Sequence, residues 1–179
     1  MQNRLKASAM EIKNIHSLVT CAVCVALYVA INSLSVYVTP SLKLTFSFLV
    51  LGMIGYRFGL VTGSLAAVAC DLVAYVIRPA GPLHLGFTLS TVLTVAVFAI
   101  FFYGHKITIW RTVVSRTFIN LAINIALNTY WLSNLYGEAY RVLLIERFVK
   151  NIALLPVEAI LLYFVLNAFK KVLEKAGYR

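Results

Sequence analysis

Long apolar runs separated by short polar connections set the pattern of this chain. The runs cover about residues 16–36, 46–56, a third ending near Ile77, 87–103, 113–131 and 148–169. A helix that crosses a bilayer needs about 20 predominantly apolar residues, so the pattern predicts six transmembrane helices. The second run is short and reads as tilted, or as starting inside the protein at reduced depth. A polar, Pro-containing connection spans residues 37–45, and a turn runs from Gly55 through Arg57 to Gly59. Residues 78–86 hold Pro79, Gly81, Pro82 and Gly86 and cannot be helical throughout. Residues 133–146 are expected to form a loop with a short interfacial helix. The predicted fold is all-α: a single domain over residues 1–179, built as one six-helix transmembrane bundle.

The polar positions inside the runs carry more information than the apolar ones. In the last run Arg147, Asn151 and Glu158 stand at offsets of four and eleven, with Lys150 beside them. On a helix those offsets return to within roughly 40° of one direction, so the three side chains share a face. In the third run Ser64, Asp71, Tyr75 and Arg78 share a face. In the fifth, Asn120, Asn124 and Asn128 repeat every four residues and Trp131 continues the line. A charge at bilayer depth costs about 3 to above 10 kcal/mol, so such residues turn to the bundle interior, find partners and mark a substrate or ion path. The three faces predict a pocket, joined by His84 and Phe87. The simpler alternative is that Asp71, Arg78, Arg147 and Glu158 only pair with one another and the asparagines bridge helices.

Composition agrees with a membrane protein. The 179 residues are 61% hydrophobic and 12% charged, and the mean hydropathy is +0.89. The formal charge of +10 is scattered between apolar runs and forms no continuous stripe, which argues against nucleic acid as a partner. Of the 16 lysines and arginines, 11 fall on the side of the termini if six spans are counted, so both termini are expected in the cytoplasm. The N-terminal Arg4, Lys6 and Lys13 before an apolar stretch resemble a signal peptide, but that stretch is long enough to span and reads as a retained first helix. Lys170, Lys171 and Lys175 read as topology determinants and anionic-lipid anchors.

Catalysis has little support. There is no H-E-x-x-H, no Walker loop and no serine with a neighbouring histidine and acid, and His16, His84 and His105 lie on separate segments. No metal site and no cofactor are expected, and the chain alone cannot hydrolyse ATP. Cys21 and Cys24 form a C-x-x-C without the strand–turn–helix setting of a redox motif, and with Cys70 they read as small buried hydrophobes. A pocket of aromatics, amides, carboxylates and cations suits a flat heterocycle with an acidic tail. Asp71 or Glu158 can accept from an amino-pyrimidine edge, and Arg147, Lys150 or Arg78 can hold the acidic end. Ala22, Ala26 and Ala30 form a flat stripe on which another helix can approach. Gly59, Gly63 and Ala67 form a second, read as internal.

These residues carry a family resemblance. The six short spans, the Ala22-x-x-x-Ala26 pattern, the segment from Gly81-Pro82-Leu83-His84 to Leu89, and the segment Arg147-Phe148-Val149-Lys150-Asn151 through Pro156-Val157-Glu158 resemble the folate-specific substrate-binding subunit of energy-coupling factor (ECF) transporters. The likeness covers nearly the whole chain and is most specific in the last segment.

The resemblance implies an S component that binds a vitamin from the outer side of a prokaryotic plasma membrane. Such a subunit is not an enzyme; it associates with a transmembrane coupling subunit and two ATPases that supply ATP hydrolysis. The resemblance also implies that Ala22, Ala26 and Ala30 dock the coupling subunit, that the subunit topples in the membrane to release its vitamin, and that residues 37–45 with the Gly81–Phe87 loop, Pro82 included, gate the pocket. On this reading folate buries its pterin among the third, fifth and sixth helices and points its glutamate toward Arg147 and Lys150. An S component for another planar vitamin or precursor shares these features. A membrane-embedded enzyme or a purely structural subunit represents a different class.

Overall fold

The computed structural model describes residues 2–39, 42–79, 84–137 and 140–177. Its helices are α1 (Gln2–Met10), α2 (Ile15–Ser33), α3 (Phe48–Ile77), α4 (Leu85–Phe102), α5 (Ile109–Phe118), α6 (Asn128–Tyr136) and α7 (Tyr140–Lys175). A 3₁₀ turn, Glu11–Lys13, joins α1 to α2. A π-helical segment, Ile119–Leu127, joins α5 to α6 without a break. Among the described residues, four helices are long and apolar enough to cross a membrane: α2, α3, α4, and α7 over its Arg147–Lys175 portion.

α3 is two helices folded back on one another. Gly59 breaks it with φ of 70° and ψ of −159°, a backbone state open to glycine and strained for other residues. A Cβ built on Gly63 would lie 3.7 Å from Ile54 Cγ2 and 3.8 Å from the Ile54 carbonyl oxygen. Nine residues of straight helix would separate these positions by about 13.5 Å. The second and third apolar runs are therefore the arms of a helical hairpin with almost no loop.

Ser8 of α1, fully buried, holds that reversal together. Its Oγ donates to the Phe58 carbonyl at 2.5 Å and accepts from the amides of Val61 at 3.0 Å and Thr62 at 3.3 Å. The Thr62 hydroxyl in turn donates to the Ser8 carbonyl. One side chain thus satisfies the end of one arm and the start of the next, which a local cap normally does. Glu11 adds an ion pair to Arg57 at 2.8 Å and accepts from the Ser17 hydroxyl. Although burial alone would raise it, these hydrogen bonds and the Arg57 charge hold the Glu11 carboxyl below its ordinary range.

Three expectations change. The first helix stops at Ser33, and Val36–Thr39 pairs antiparallel with Leu42–Leu44 as a short hairpin, β1 and β2, where an all-α chain was expected. Alternating Val36, Val38, Leu42 and Leu44 give that connection its strand character. The expected loop at residues 133–146 is mostly helix: α6 continues to Tyr136, where Gly137 terminates it at φ of 67°, and α7 already begins at Tyr140. The expected separation of the second and third spans shrinks to the single break at Gly59.

The core packs around Ile54, Phe58, Phe98, Phe102, Ile119, Leu162 and Leu166, all fully buried. The outer surface is itself apolar: Val19 and Val23 on α2, Val76 on α3, Ile100 on α4 and Phe164 on α7 are exposed. An apolar exterior around a core that contains ions is the arrangement lipid demands.

Candidate functional site

Aromatic side chains gather where α4 begins, beside the first turn of α6. His84 caps α4, its Nδ1 accepting from the Gly86 amide at 3.1 Å. The His84 ring lies 5.4 Å from Trp131 and 5.7 Å, edge on, from Phe87. Gly86 makes this approach possible: a Cβ there would fall 2.5 Å from Trp131 Cδ2 and 2.7 Å from the imidazole.

From this cluster a polar seam descends between the α5–α6 run and α7, which lie antiparallel. Asn128 donates to Asn124 Oδ1 at 3.3 Å, and Asn124 donates to Asn120 Oδ1 at 2.8 Å. Asn120 Nδ2 reaches Glu158 Oε2 at 3.0 Å and the Asn151 carbonyl at 3.4 Å. Arg116 grips both Glu158 oxygens, Nη2 on Oε1 at 2.9 Å and Nε on Oε2 at 3.0 Å. Arg116 is 4% exposed and Glu158 8%, so this is an ion pair in the heart of the bundle. Its bidentate geometry and the added amide are what offset the desolvation of both ions. The guanidinium also lies 3.9 Å from the centre of the Phe48 ring at the start of α3.

On the α7 side, Arg147 Nη1 donates to the Asn124 carbonyl at 3.2 Å, and Asn151 Nδ2 bonds back to the Arg147 carbonyl at 2.8 Å. Lys150 is half-buried and within electrostatic reach of Arg147, Glu158 and Arg116. Two buried polar atoms at the aromatic end, Asn128 Oδ1 and Trp131 Nε1, have no hydrogen-bond partner among the described residues. An orphaned buried polar atom costs about 1–3 kcal/mol, so a water or a ligand's polar group brought to either atom gains energy.

Asp71 belongs to a second group, between α3 and α4. Thr88 donates to its Oδ2 at 2.6 Å and Thr91 to its Oδ1 at 3.5 Å, with Tyr28 of α2 packed beside them. Tyr75 is half-buried one turn further on, and Arg78 is exposed and donates to the Ser33 carbonyl at the end of α2. The structure therefore brings together Phe87, His84 and Trp131, and runs Asn124, Asn128, Arg147, Lys150, Asn151 and Glu158 along one seam. The Asp71, Tyr75 and Arg78 face meets α4 and the end of α2 instead. Gly81 and Pro82 lie outside the described residues. No group of three or more potential metal ligands occurs among the described residues.

Arg116 is one of the 11 basic residues counted on the side of the termini, and its ion pair was not expected from the sequence. The signal was present: Arg116 stands four residues before Asn120 and extends the Asn120, Asn124, Asn128 ladder by one step. The hydroxyl partners of Asp71 had no comparable signal, because Thr88 and Thr91 are ordinary residues of an apolar helix. On α2, Ala22, Ala26 and Ala30 are exposed while Cys24 and Tyr28 face the core, so the alanine stripe is uncovered.

Known proteins share this fold. A folate transporter FolT of Clostridium novyi (strain NT) is 32% identical over 125 residues, covering 70% of this chain and 73% of the relative. A folate transporter FolT of Leuconostoc mesenteroides subsp. mesenteroides is 25% identical over 173 residues, covering 93% of each. A crystal structure of FolT bound with folic acid superposes with a TM-score of 0.81 at 26% identity, covering 87% of this chain and 95% of that one. The model of the family described as ECF transporter, substrate-specific component, matches residues 16–166. With most of its length inside that match, the chain belongs to the substrate-specific components of ECF transporters.

Proposed function

We propose that this chain binds folate at the outer face of a prokaryotic plasma membrane and delivers it inward as the S component of an ATP-driven ECF importer. The observation that carries this reading is the pairing of a three-ring aromatic cluster, His84, Phe87 and Trp131, with two unsatisfied buried polar atoms, Asn128 Oδ1 and Trp131 Nε1. A planar heterocycle fills the aromatic space and its edge groups satisfy the orphans. Arg147 and Lys150 then hold the acidic tail, while Asn151 and Glu158 support the seam behind them. Asp71, Tyr75 and Arg78 close the α4 side. The relatives named folate transporter FolT and the FolT structure bound with folic acid support folate over other planar ligands.

The chain crosses the membrane six times on this reading. The two arms of α3 and the unbroken helical run over residues 109–136 supply the crossings beyond α2, α4 and α7. Both termini then lie in the cytoplasm, where the excess of lysine and arginine falls. Ala22, Ala26 and Ala30 dock a transmembrane coupling subunit, which is joined by two ATPases, and β1–β2 with the loop before α4 gates the site.

Folate titration of the detergent-purified chain, read by quenching of Trp131 with Trp110→Phe as background, tests the ligand. Saturation at nanomolar to low-micromolar folate, competed by reduced folates and not by riboflavin, is expected. Arg147→Ala should weaken binding by about 10- to 150-fold, the worth of a charge-assisted hydrogen bond of about 1.5–3 kcal/mol. Unchanged affinity in that variant removes Arg147 from the site.

A further inference from the structure

We infer that Glu158 is a positioning residue that fixes the hydrogen-bond polarity of the asparagine ladder, so that Asn128 presents a carbonyl acceptor to the ligand site and selects ligands carrying an N–H donor there. An ionised carboxylate only accepts and a guanidinium only donates, so the Arg116–Glu158 pair leaves Asn120 one choice: its Nδ2 must face Glu158. Asn120 Oδ1 is then turned toward Asn124, whose Nδ2 must donate to it, and Asn124 Oδ1 in the same way demands the Nδ2 of Asn128. Every amide in the series points its NH₂ toward Glu158. Reversing any one of them sets two carbonyls or two NH₂ groups face to face inside a low-dielectric seam.

The orphaned Asn128 Oδ1 is the end of this series. Its being an acceptor is decided twelve residues earlier in the run and across the bundle on α7, by groups that do not touch the ligand. The π-helical backbone over Ile119–Leu127 carries two of the three asparagines, and the third follows it directly, so amides four residues apart bond side chain to side chain along its length. That the donor belongs to the amino-pyrimidine edge of a pterin rests on the folate reading above; the polarity itself does not.

Thermal unfolding of the ligand-free, detergent-purified chain tests the polarity directly. Asn128→Asp places an acceptor-only group against Asn124 Oδ1 and should lower the midpoint by about 5 °C or more. Adding Glu158→Gln should restore most of that loss relative to Glu158→Gln alone, because the new amide at 158 can donate to Asn120 and both asparagines can turn round to donate toward position 128. The same rescue in an Asn124→Leu background, where the series is cut, should vanish. A rescue that persists there means that only the charge opposite Arg116 matters, and overturns the inference; so does the absence of rescue with Asn124 present.

A ligand arm separates this from the function. The wild-type chain should prefer folate over an analogue whose 2-amino group is replaced by methyl by about tenfold or more, and Glu158→Gln should shrink that preference more than it changes affinity for the analogue. Rescue of unfolding without any folate binding by the wild type removes the folate reading and leaves the polarity standing. Folate binding without rescue does the reverse.

Discussion

Gly86 occupies the one position in the aromatic cluster where a single methyl group would matter most. Its missing side chain admits Trp131 to 2.5 Å and the His84 ring to 2.7 Å of where a Cβ would stand. Gly86→Ala must push the tryptophan out of the wall it forms, a misfit of about 1–3 kcal/mol. Folate binding should weaken about tenfold to a hundredfold while the unfolding midpoint moves by only a few degrees. Titration of the variant beside the wild type decides it, and equal affinities remove Trp131 from the ligand wall. Residue identity alone made much of the polar seam legible. Arg147, Asn151 and Glu158 were legible because charges and amides in an apolar helix need a reason, and the inward face they share is where the structure puts them. What sequence could not separate was contact from support: Glu158 reads as a group free to meet a ligand until Arg116 is seen gripping both of its oxygens.

Between elements, the joint of α1 and α3 decides how the membrane-embedded part is held. Ser8 serves Phe58, Val61 and Thr62 across the Gly59 reversal. Ser8→Ala leaves a carbonyl and two amides without that partner, which costs about 1–3 kcal/mol and should lower the unfolding midpoint by about 5 °C with folate affinity little changed. A midpoint equal to wild type would show that water replaces the hydroxyl. Glu11 gives the same joint a pH dependence. Its folded carboxyl titrates below the ordinary value of 4.5, so its contribution is complete above that value, declines as the unfolded chain takes up a proton below it, and is gone once the folded group is protonated. Midpoints measured from pH 6 to pH 3 should fall below about pH 4.5, and Glu11→Gln should flatten that segment of the curve. This joint was only half legible. The Gly55–Gly59 turn announces a break, but nothing in Gln2–Met10 announces that its serine caps a helix fifty residues away. The run into α6 and the early start of α7 were missed for a related reason: Ser133, Asn134 and Gly137 look like a loop, yet only Gly137 ends the helix.

At the scale of the whole molecule, the polar seam and the alanine stripe use different faces of the bundle. The seam is enclosed by the α5–α6 run and α7, with its aromatic end at the start of α4; Ala22, Ala26 and Ala30 face outward from α2 while Cys24, Tyr28 and Val29 pack inward. On the proposed function, ligand capture and partner docking are therefore separable by mutation. An indole at position 26 points away from the core, costs the isolated chain little, and destroys the flat surface that lets two helix backbones approach closely. Ala26→Trp should bind folate within about twofold of wild type, keep its unfolding midpoint within a few degrees, and fail to co-purify with the coupling subunit or to support folate uptake by cells. Uptake at the wild-type rate would place the docking face elsewhere. Loss of folate binding itself would mean that α2 packs internally through its alanines, which contradicts their exposure in the fold. Binding and assembly must be read together, because only intact binding with lost assembly assigns the defect to the interface rather than to the bundle.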